Sequence, residues 1–197
     1  MSKKKPKVNG IGLIVEDSSD FDTVRALIKK HIGVKGLRFK KKAGGGCGKM
    51  RNKALSYAKE LKNKGCNMVI LVHDLDGREL EKLRSDLSFF VKKSPAEFNF
   101  ICIPNEEIEA WLLSDENAVN DLFKLSKKMK SISNPENITS PKEHLEKIIY
   151  QNSNKTKRYI STQHNLKIAE LMDIGKASKK CKSFEELLVF LDSFRYE

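Results

Sequence analysis

Apolar residues along this chain fall into short continuous runs that alternate with helix-spaced sets. Ile11 to Val15 is the first run, and Glu16-Asp17-Ser18-Ser19-Asp20 follows it as a polar strand end and helix cap. Phe21, Val24, Leu27, Ile28 and Ile32 then recur at helical spacing, closed by Gly33 and Gly36. A lysine-bearing run from Leu37 to Lys42 has the character of an edge strand, and Ala43 to Gly48 is a glycine loop. Met50 to Lys64 is helical through Leu55, Ala58 and Leu61, and Asn67 to His73 is a fully apolar strand running into Asp74-Leu75-Asp76-Gly77. Arg78 to Lys93 is helical through Leu80, Leu83, Leu87 and Val91, and Phe98 to Ile103 is a fourth strand stopped by Pro104. Beyond it the pattern is helical throughout: Asn105 to Ser114, Glu116 to Met129, Pro141 to Tyr150, Ile160 to Met172, and Ser183 to Phe194.

Strands that are apolar on both faces and alternate with helices predict a parallel sheet covered on two sides. The expected fold is therefore α/β, with at least four parallel strands at residues 10–15, 37–42, 67–73 and 98–103. Three parts are expected: a basic tail over 1–8, an α/β domain over 9–115, and a helical subdomain over 116–197 packed on it. Trp111, with Ile108 and Leu112 on one face, is expected to be buried between the two larger parts.

Composition adds limits. The 197 residues suffice to bury a core without staples. No apolar run approaches the ~18 residues of a membrane span, and the basic N-terminus lacks the apolar stretch of a signal peptide. Cys47, Cys66, Cys102 and Cys181 are scattered, with no C-x-x-C pair, which fits a reducing cytoplasm rather than a zinc or disulfide framework. The formal charge of +12 is unevenly placed: residues 1–66 hold 18 Lys and Arg against 5 Asp and Glu, while the rest is nearly balanced. Clustered positive charge is the footprint of a polyanion partner such as nucleic acid, or else a solubilising surface. Lys40, Lys41, Lys42, Lys49 and Arg51 are the candidate backbone contacts.

Ligands of open parallel sheets sit beyond the carboxyl ends of the strands. Glu16 falls there after the first strand and Asp74 and Asp76 after the third; Glu106, Glu107 and Glu109 follow the fourth. Carboxylates converging on one point need a cation, and oxygen-only ligation selects Mg2+ or Mn2+. Asp-x-Asp spacing in an extended segment would aim both side chains the same way. Each residue also has a plainer explanation. Asp74 to Gly77 can be a turn, and Glu16, Asp17, Asp20, Glu106 and Glu107 can be helix N-terminal carboxylates. Glu109 can be a helix residue beside a buried face. Convergence on one rim favours the metal site. His73 is the one histidine placed near it.

An apolar strand ending in Glu16, Asp20 four residues on, a helix, and a later strand ending in Asp74-x-Asp76 together resemble the TOPRIM module of topoisomerases, bacterial primases, RNase M5-like maturases and OLD-family nucleases. The module usually has Gly after the glutamate, where this chain has Asp17. The resemblance implies a TOPRIM-like sheet with a general acid or base at Glu16 and Mg2+ held by Asp74 and Asp76. The string Pro104-x-x-x-Ile108-Glu109-Ala110-Trp111-Leu112-Leu113-x-Asp115, with Pro141-Lys142 and Ser183-Phe184, is similar to small TOPRIM-like bacterial proteins (OLD- and RloB-like). Those are often encoded beside an SMC/ABC-type ATPase in phage-defence loci. That likeness implies an ATPase partner and a metal or substrate role for Glu109.

The leading expectation is thus a metal-dependent nuclease, with Glu16, Asp74, Asp76 and Glu109 as its site. The alternative is a non-catalytic TOPRIM module that binds nucleic acid or a partner ATPase. A P-loop is excluded because Ala43 stands where its first Gly belongs and Met50 where Ser or Thr belongs. A receiver would need Ser or Thr after the fourth strand, where Pro104 and Asn105 stand, and a lysine after a fifth strand. An Asp-x-Asp phosphatase carries that motif after its first strand, not its third.

Overall fold

A computed structural model describes residues 4–197; Met1 to Lys3 of the basic tail, and the Cys47 side chain, lie outside what it describes. Four parallel strands form the main sheet: β2 (Gly10–Val15), β3 (Arg38–Ala43), β4 (Met68–Val72) and β5 (Phe98–Cys102), in the spatial order β3-β2-β4-β5. The two central strands are buried at every position, as their unbroken apolar runs require, whereas β3 sits at an edge with its lysines. Alternation along the strands separates two layers. Ile11, Leu13, Val15, Met68, Ile70 and Val72 join the core shared with α1 (Ser18–Ile32) and the C-terminal helices. Ile14, Val69 and Leu71 face α2 (Cys47–Asn63) and α3 (Leu80–Lys93). Gly12 is needed here, because a Cβ on it would stand 2.9 Å from Leu61 Cδ1 of α2.

The C-terminal part is mostly helical: α4 (Glu109–Leu112), α5 (Glu116–Phe123), a 3-10 turn (Pro135–Asn137), α6 (Pro141–Asn152), α7 (Ser161–Leu171), α8 (Ile174–Lys180) and α9 (Lys182–Asp192). These helices share one apolar core with the first face of the sheet rather than forming a core of their own. Trp111 is fully buried, tilted against Phe184 at 5.1 Å, and its indole N–H donates to Ser183 Oγ at 2.8 Å. Polar side chains close the helix ends. Lys30 Nζ of α1 donates to the Glu170 and Met172 carbonyls, each at 2.7 Å, at the end of α7. The Glu136 carboxylate accepts from the Lys182 and Ser183 N–H groups at the start of α9.

Several boundaries differ from the sequence expectation. The helix expected over Asn105 to Ser114 shrinks to α4, because Glu106 adopts φ 58°, the left-handed region no helix admits. The one expected over Glu116 to Met129 stops at Phe123, where Lys124 turns left-handed at φ 45° and the Asn120 side chain takes over, accepting from Met129 N at 2.8 Å. At the N-terminus the solvated stretch ends early. Lys7–Val8 forms β1, paired in parallel with β6 (Arg195–Tyr196), and Val8 is buried. Among the described residues, no helix is long and apolar enough to cross a membrane.

Candidate metal and acid cleft

The strand ends build the site. In register, Ile14 lies beside Leu71, and Val72 beside Cys102, so β2, β4 and β5 deliver their following residues to one edge of the sheet. There a cleft of about 330 Å3 is lined by Glu16 and Asp20 from the β2–α1 junction, Asp74 and Asp76 after β4, and Glu107 and Glu109 after β5. Asp17, Gly45, Gly46, Lys142 and Ser161 complete its rim. Glu16, Asp74, Asp76 and Glu109 thus all line this one cleft.

Each carboxylate is held differently. Asp17 caps α1, accepting from Ser19 N at 2.6 Å and Asp20 N at 3.1 Å, while Asp20 Oδ2 accepts from Asp17 N at 3.2 Å. This reciprocal capping box ties both to the helix start. Glu109 is nearly buried, and its Oε1 lies 3.0 Å from the Tyr159 hydroxyl and 3.1 Å from Asn165 Nδ2. Tyr159 also bonds Asn165 Oδ1, so a polar cluster from the C-terminal region fixes the Glu109 side chain. Glu107 accepts from Lys142 N at 2.9 Å, satisfying a donor in the first turn of α6. Glu106, outside the cleft, accepts from Gly77 N at 2.7 Å. Asp74 differs: its Oδ1 is buried and has no hydrogen-bond partner.

The Asp-x-Asp segment is not extended. Asp76 and Gly77 take successive left-handed conformations, φ 51° and 69°, in a turn closed by Arg78 N donating to the Leu75 carbonyl at 3.1 Å. Asp74 therefore points inward while Asp76 stands on the exposed rim, 3.9 Å from an Arg78 guanidinium nitrogen. The segment is thus a turn, and the same turn puts both aspartates on the lining of the cleft. Asp76 and Glu106 are left-handed non-glycines facing one another, with Asp76 N donating to the Glu106 carbonyl at 3.2 Å. Such conformations cost on the order of 1–3 kcal/mol each and concentrate at functional sites.

Burial drives the electrostatics. It raises the Asp74 carboxyl well above the ordinary range, and the neighbouring Asp20, Glu109, Asp76 and Glu16 charges push the same way. Burial, then Asp17, raises Asp20 to about 7. Glu107 is also raised, chiefly by burial. His73 is lowered by burial, so its neutral ring bonds the Asp74 carbonyl through Nδ1 at 2.7 Å and leaves Nε2 facing Arg78 at 3.5 Å. The cleft thus concentrates acid that water cannot fully solvate. Its donors, all carboxylate oxygens, suit a hard divalent ion. Among the described residues, however, no three His, Cys, Asp or Glu side chains stand in an arrangement that would hold an ion as they are.

The expected basic cluster is dispersed, and none of its five residues lines this cleft. Lys42 pairs with Glu60 and lies over the Tyr57 ring. Lys41 reaches Ser18 Oγ at 3.3 Å, and Lys40 and Lys49 are exposed. Arg51 pairs with Asp86 at 3.3 Å in a neighbouring cavity. Strand alternation separates Lys41 from Lys40 and Lys42, which is why consecutive lysines do not make one patch. Sequence reading left Asp20 out of the site, placed Glu107 at the rim without giving it a role, and missed Tyr159, Asn165 and Lys142. The Asp17-x-x-Asp20 spacing of a capping box was the available signal for the first, while Tyr159, Asn165 and Lys142 arrive from the C-terminal helices and the segment before α7, whose docking no local pattern reveals.

No curated protein and no solved structure matches this chain. A family profile does, over residues 15–192, which take in the acidic strand ends and the helices packed on them; the chain belongs to the family described as a domain of unknown function, DUF4276.

Proposed function

We propose that this chain is a divalent-metal-dependent nuclease of the TOPRIM kind, cleaving phosphodiesters of DNA or RNA in the cleft at the ends of β2, β4 and β5. The observation that carries this reading is Asp74: a buried carboxylate oxygen without a partner, ringed by further carboxylates. Burying an unpaired charged group is expensive, and a protein retains the arrangement where a cation offsets it. Asp74, Asp76 and Glu16 would hold Mg2+ or Mn2+, with side-chain rotation drawing them into ligating positions. Bound there, the ion would supply Lewis-acid polarisation of a phosphoryl oxygen and lower the pKa of a bound water. Glu16 is the group suited to shuttling a proton, since it follows β2 directly and lines the cleft beside Asp74 and Asp76. Glu109, fixed by Tyr159 and Asn165, keeps a negative wall opposite the β2 end and orients what enters. Lys142 on the rim offers a cation to an anionic substrate.

The free, buried thiols of Cys66, Cys102 and Cys181 fit a cytoplasmic setting, in which an SMC/ABC-type ATPase would gate the activity as part of phage defence. One observation favours the alternative of a non-catalytic module that binds nucleic acid or such a partner: among the described residues, no three His, Cys, Asp or Glu side chains are preset for an ion. Incubating the protein with single-stranded, duplex and structured RNA substrates, with Mg2+ or Mn2+ and then with EDTA, separates the two. Metal-dependent cleavage is expected, abolished by Asp74→Ala or Asp76→Ala and lowered about 100-fold or more by Glu16→Gln. Binding without cleavage under every condition, with an ATPase partner supplied, would leave the binding module.

A further inference from the structure

Beside the acidic cleft lies a second cavity of about 510 Å3, between the first turns of α2 and α3, lined by Arg51, His73, Arg78, Glu79, Lys82 and Asp86. Neither the resemblance nor the family match assigns it a role. We propose that it is a phosphate-binding subsite that takes a backbone phosphate of a nucleic-acid strand, next to the phosphodiester seated in the acidic cleft. The inference rests on the nuclease reading only for what lies in that neighbouring cleft.

Three observations carry it. First, the two cavities adjoin one another. His73 and Asp74 are consecutive, His73 lining one cavity and Asp74 the other, and Arg78 stands 3.9 Å from Asp76 Oδ2. A strand crossing the Asp76 turn therefore passes from carboxylates directly to cations. Second, the cations are suited to phosphate. Arg51 and Arg78 are guanidiniums, whose planar forks match two phosphate oxygens at once. Lys82 has no carboxylate within ion-pair distance among the described residues. Third, Arg78 is held at the boundary: buried His73 faces it through Nε2 at 3.5 Å, while the ring's other nitrogen is committed to the Asp74 carbonyl. The histidine acts as a positioning residue for the arginine.

Glu79 and Asp86 sharpen the expectation rather than cancel it. Asp86 holds Arg51 at 3.3 Å in this arrangement, so phosphate competes with a carboxylate for a guanidinium that lines the cavity. The lysines of β3 are turned toward Ser18, Glu60 and solvent instead, so the backbone track runs over α2 and α3 and not over the sheet edge.

The test is anisotropy of a fluorescein-labelled 12-mer single strand with the intact chain in EDTA, where no cleavage interferes. Arg78→Ala and Lys82→Ala should each weaken binding about tenfold, and the Arg51→Ala/Arg78→Ala/Lys82→Ala variant should lose it. Lys40→Ala should change it less than about twofold. Each cation removed from the subsite should lower the log–log salt dependence by about 0.7 for a single strand. These side chains are at least partly exposed, and unchanged thermal melts would certify the fold. Wild-type-like binding by the triple variant, loss with Lys40→Ala instead, or no binding by the wild type would each overturn the proposal. So would a nucleoside monophosphate binding as tightly as the strand, since a mononucleotide pocket needs no track. Loss of binding in the triple variant beside a wild type that never cleaves would uphold the subsite and sink the nuclease reading. Cleavage with unchanged binding would do the reverse.

Discussion

At the scale of single residues, the cleft holds carboxyl groups against their electrostatic preference. Asp20, raised to about 7 by burial and by Asp17, keeps in the folded chain a proton that the unfolded chain releases near pH 4. Between those values the native state binds more protons, so this group's contribution to stability falls as pH rises from about 4 to about 7 and is level above. The loss amounts to about 4 kcal/mol at most. Asp74, raised by burial as well, works in the same direction. Asp20→Asn should therefore melt above the wild type at pH 8 and near it at pH 4, in buffers without divalent ions. Added Mg2+ should narrow the gap at pH 8, because a cation relieves the same repulsion. Melting curves at the two pH values decide it; an Asp20→Asn difference that does not change with pH would remove the electrostatic account. Asp20 also shows how a residue escapes a reading of the sequence. Its spacing from Asp17 announced a helix cap, which it is, and nothing in that spacing tells that the cap also lines a cleft.

Among the elements, the sheet was legible and the connections were not. The strand runs at residues 10–15 and 67–73 needed only their apolar continuity, since β2 and β4 are buried on both faces, whereas 37–42 was legible as an edge strand by its lysines and 98–103 by the Pro104 that stops it. The Asp74 to Gly77 segment defeated a period-2 reading because two left-handed residues turn it, and φ is not written in side-chain chemistry when the residue is Asp. β1 and β6 had no signal either: two residues each, they pair only because the chain ends meet. Gly12 marks where strand and helix approach most closely. A methyl there meets Leu61 Cδ1 at 2.9 Å and Cβ at 3.0 Å, so Gly12→Ala should destabilise the fold by about 1–3 kcal/mol through overpacking. A second change, Leu61→Ala, should recover part of that loss in the double variant relative to the sum of the single ones, since the methyl then enters the space vacated. Urea titrations of the four proteins give the coupling directly, and strict additivity would show that the contact is not the cause.

Over the whole molecule, charge and packing answer different questions. The excess of Lys and Arg in the first third pointed to a polyanion, yet its members turn to separate faces. The acidic residues, spread over nearly a hundred positions from Glu16 to Glu109, converge. Convergence follows from topology, because parallel strands send their ends to one edge, and the C-terminal helices then supply Tyr159 and Asn165 to hold the last carboxylate. The site therefore depends on the helical C-terminal part being docked. Trp111 reports on that docking. It is the chain's one tryptophan, buried against Phe184 and within the core that also contains Ile11, Leu13 and Ile70. Its emission should be blue-shifted in the native state, and its unfolding transition should coincide with that of far-ultraviolet circular dichroism, since one continuous core unfolds as a unit. Trp111→Phe keeps an aromatic ring but gives up the bond to Ser183, so it should cost less than Trp111→Ala, for which about 3–5 kcal/mol is expected. In both variants dichroism should still show one transition, moved to lower denaturant. A helical part that melts first, leaving a folded sheet with Glu109 released from Tyr159, would instead make the C-terminal part a separable layer and the cleft an assembly of two independently stable pieces.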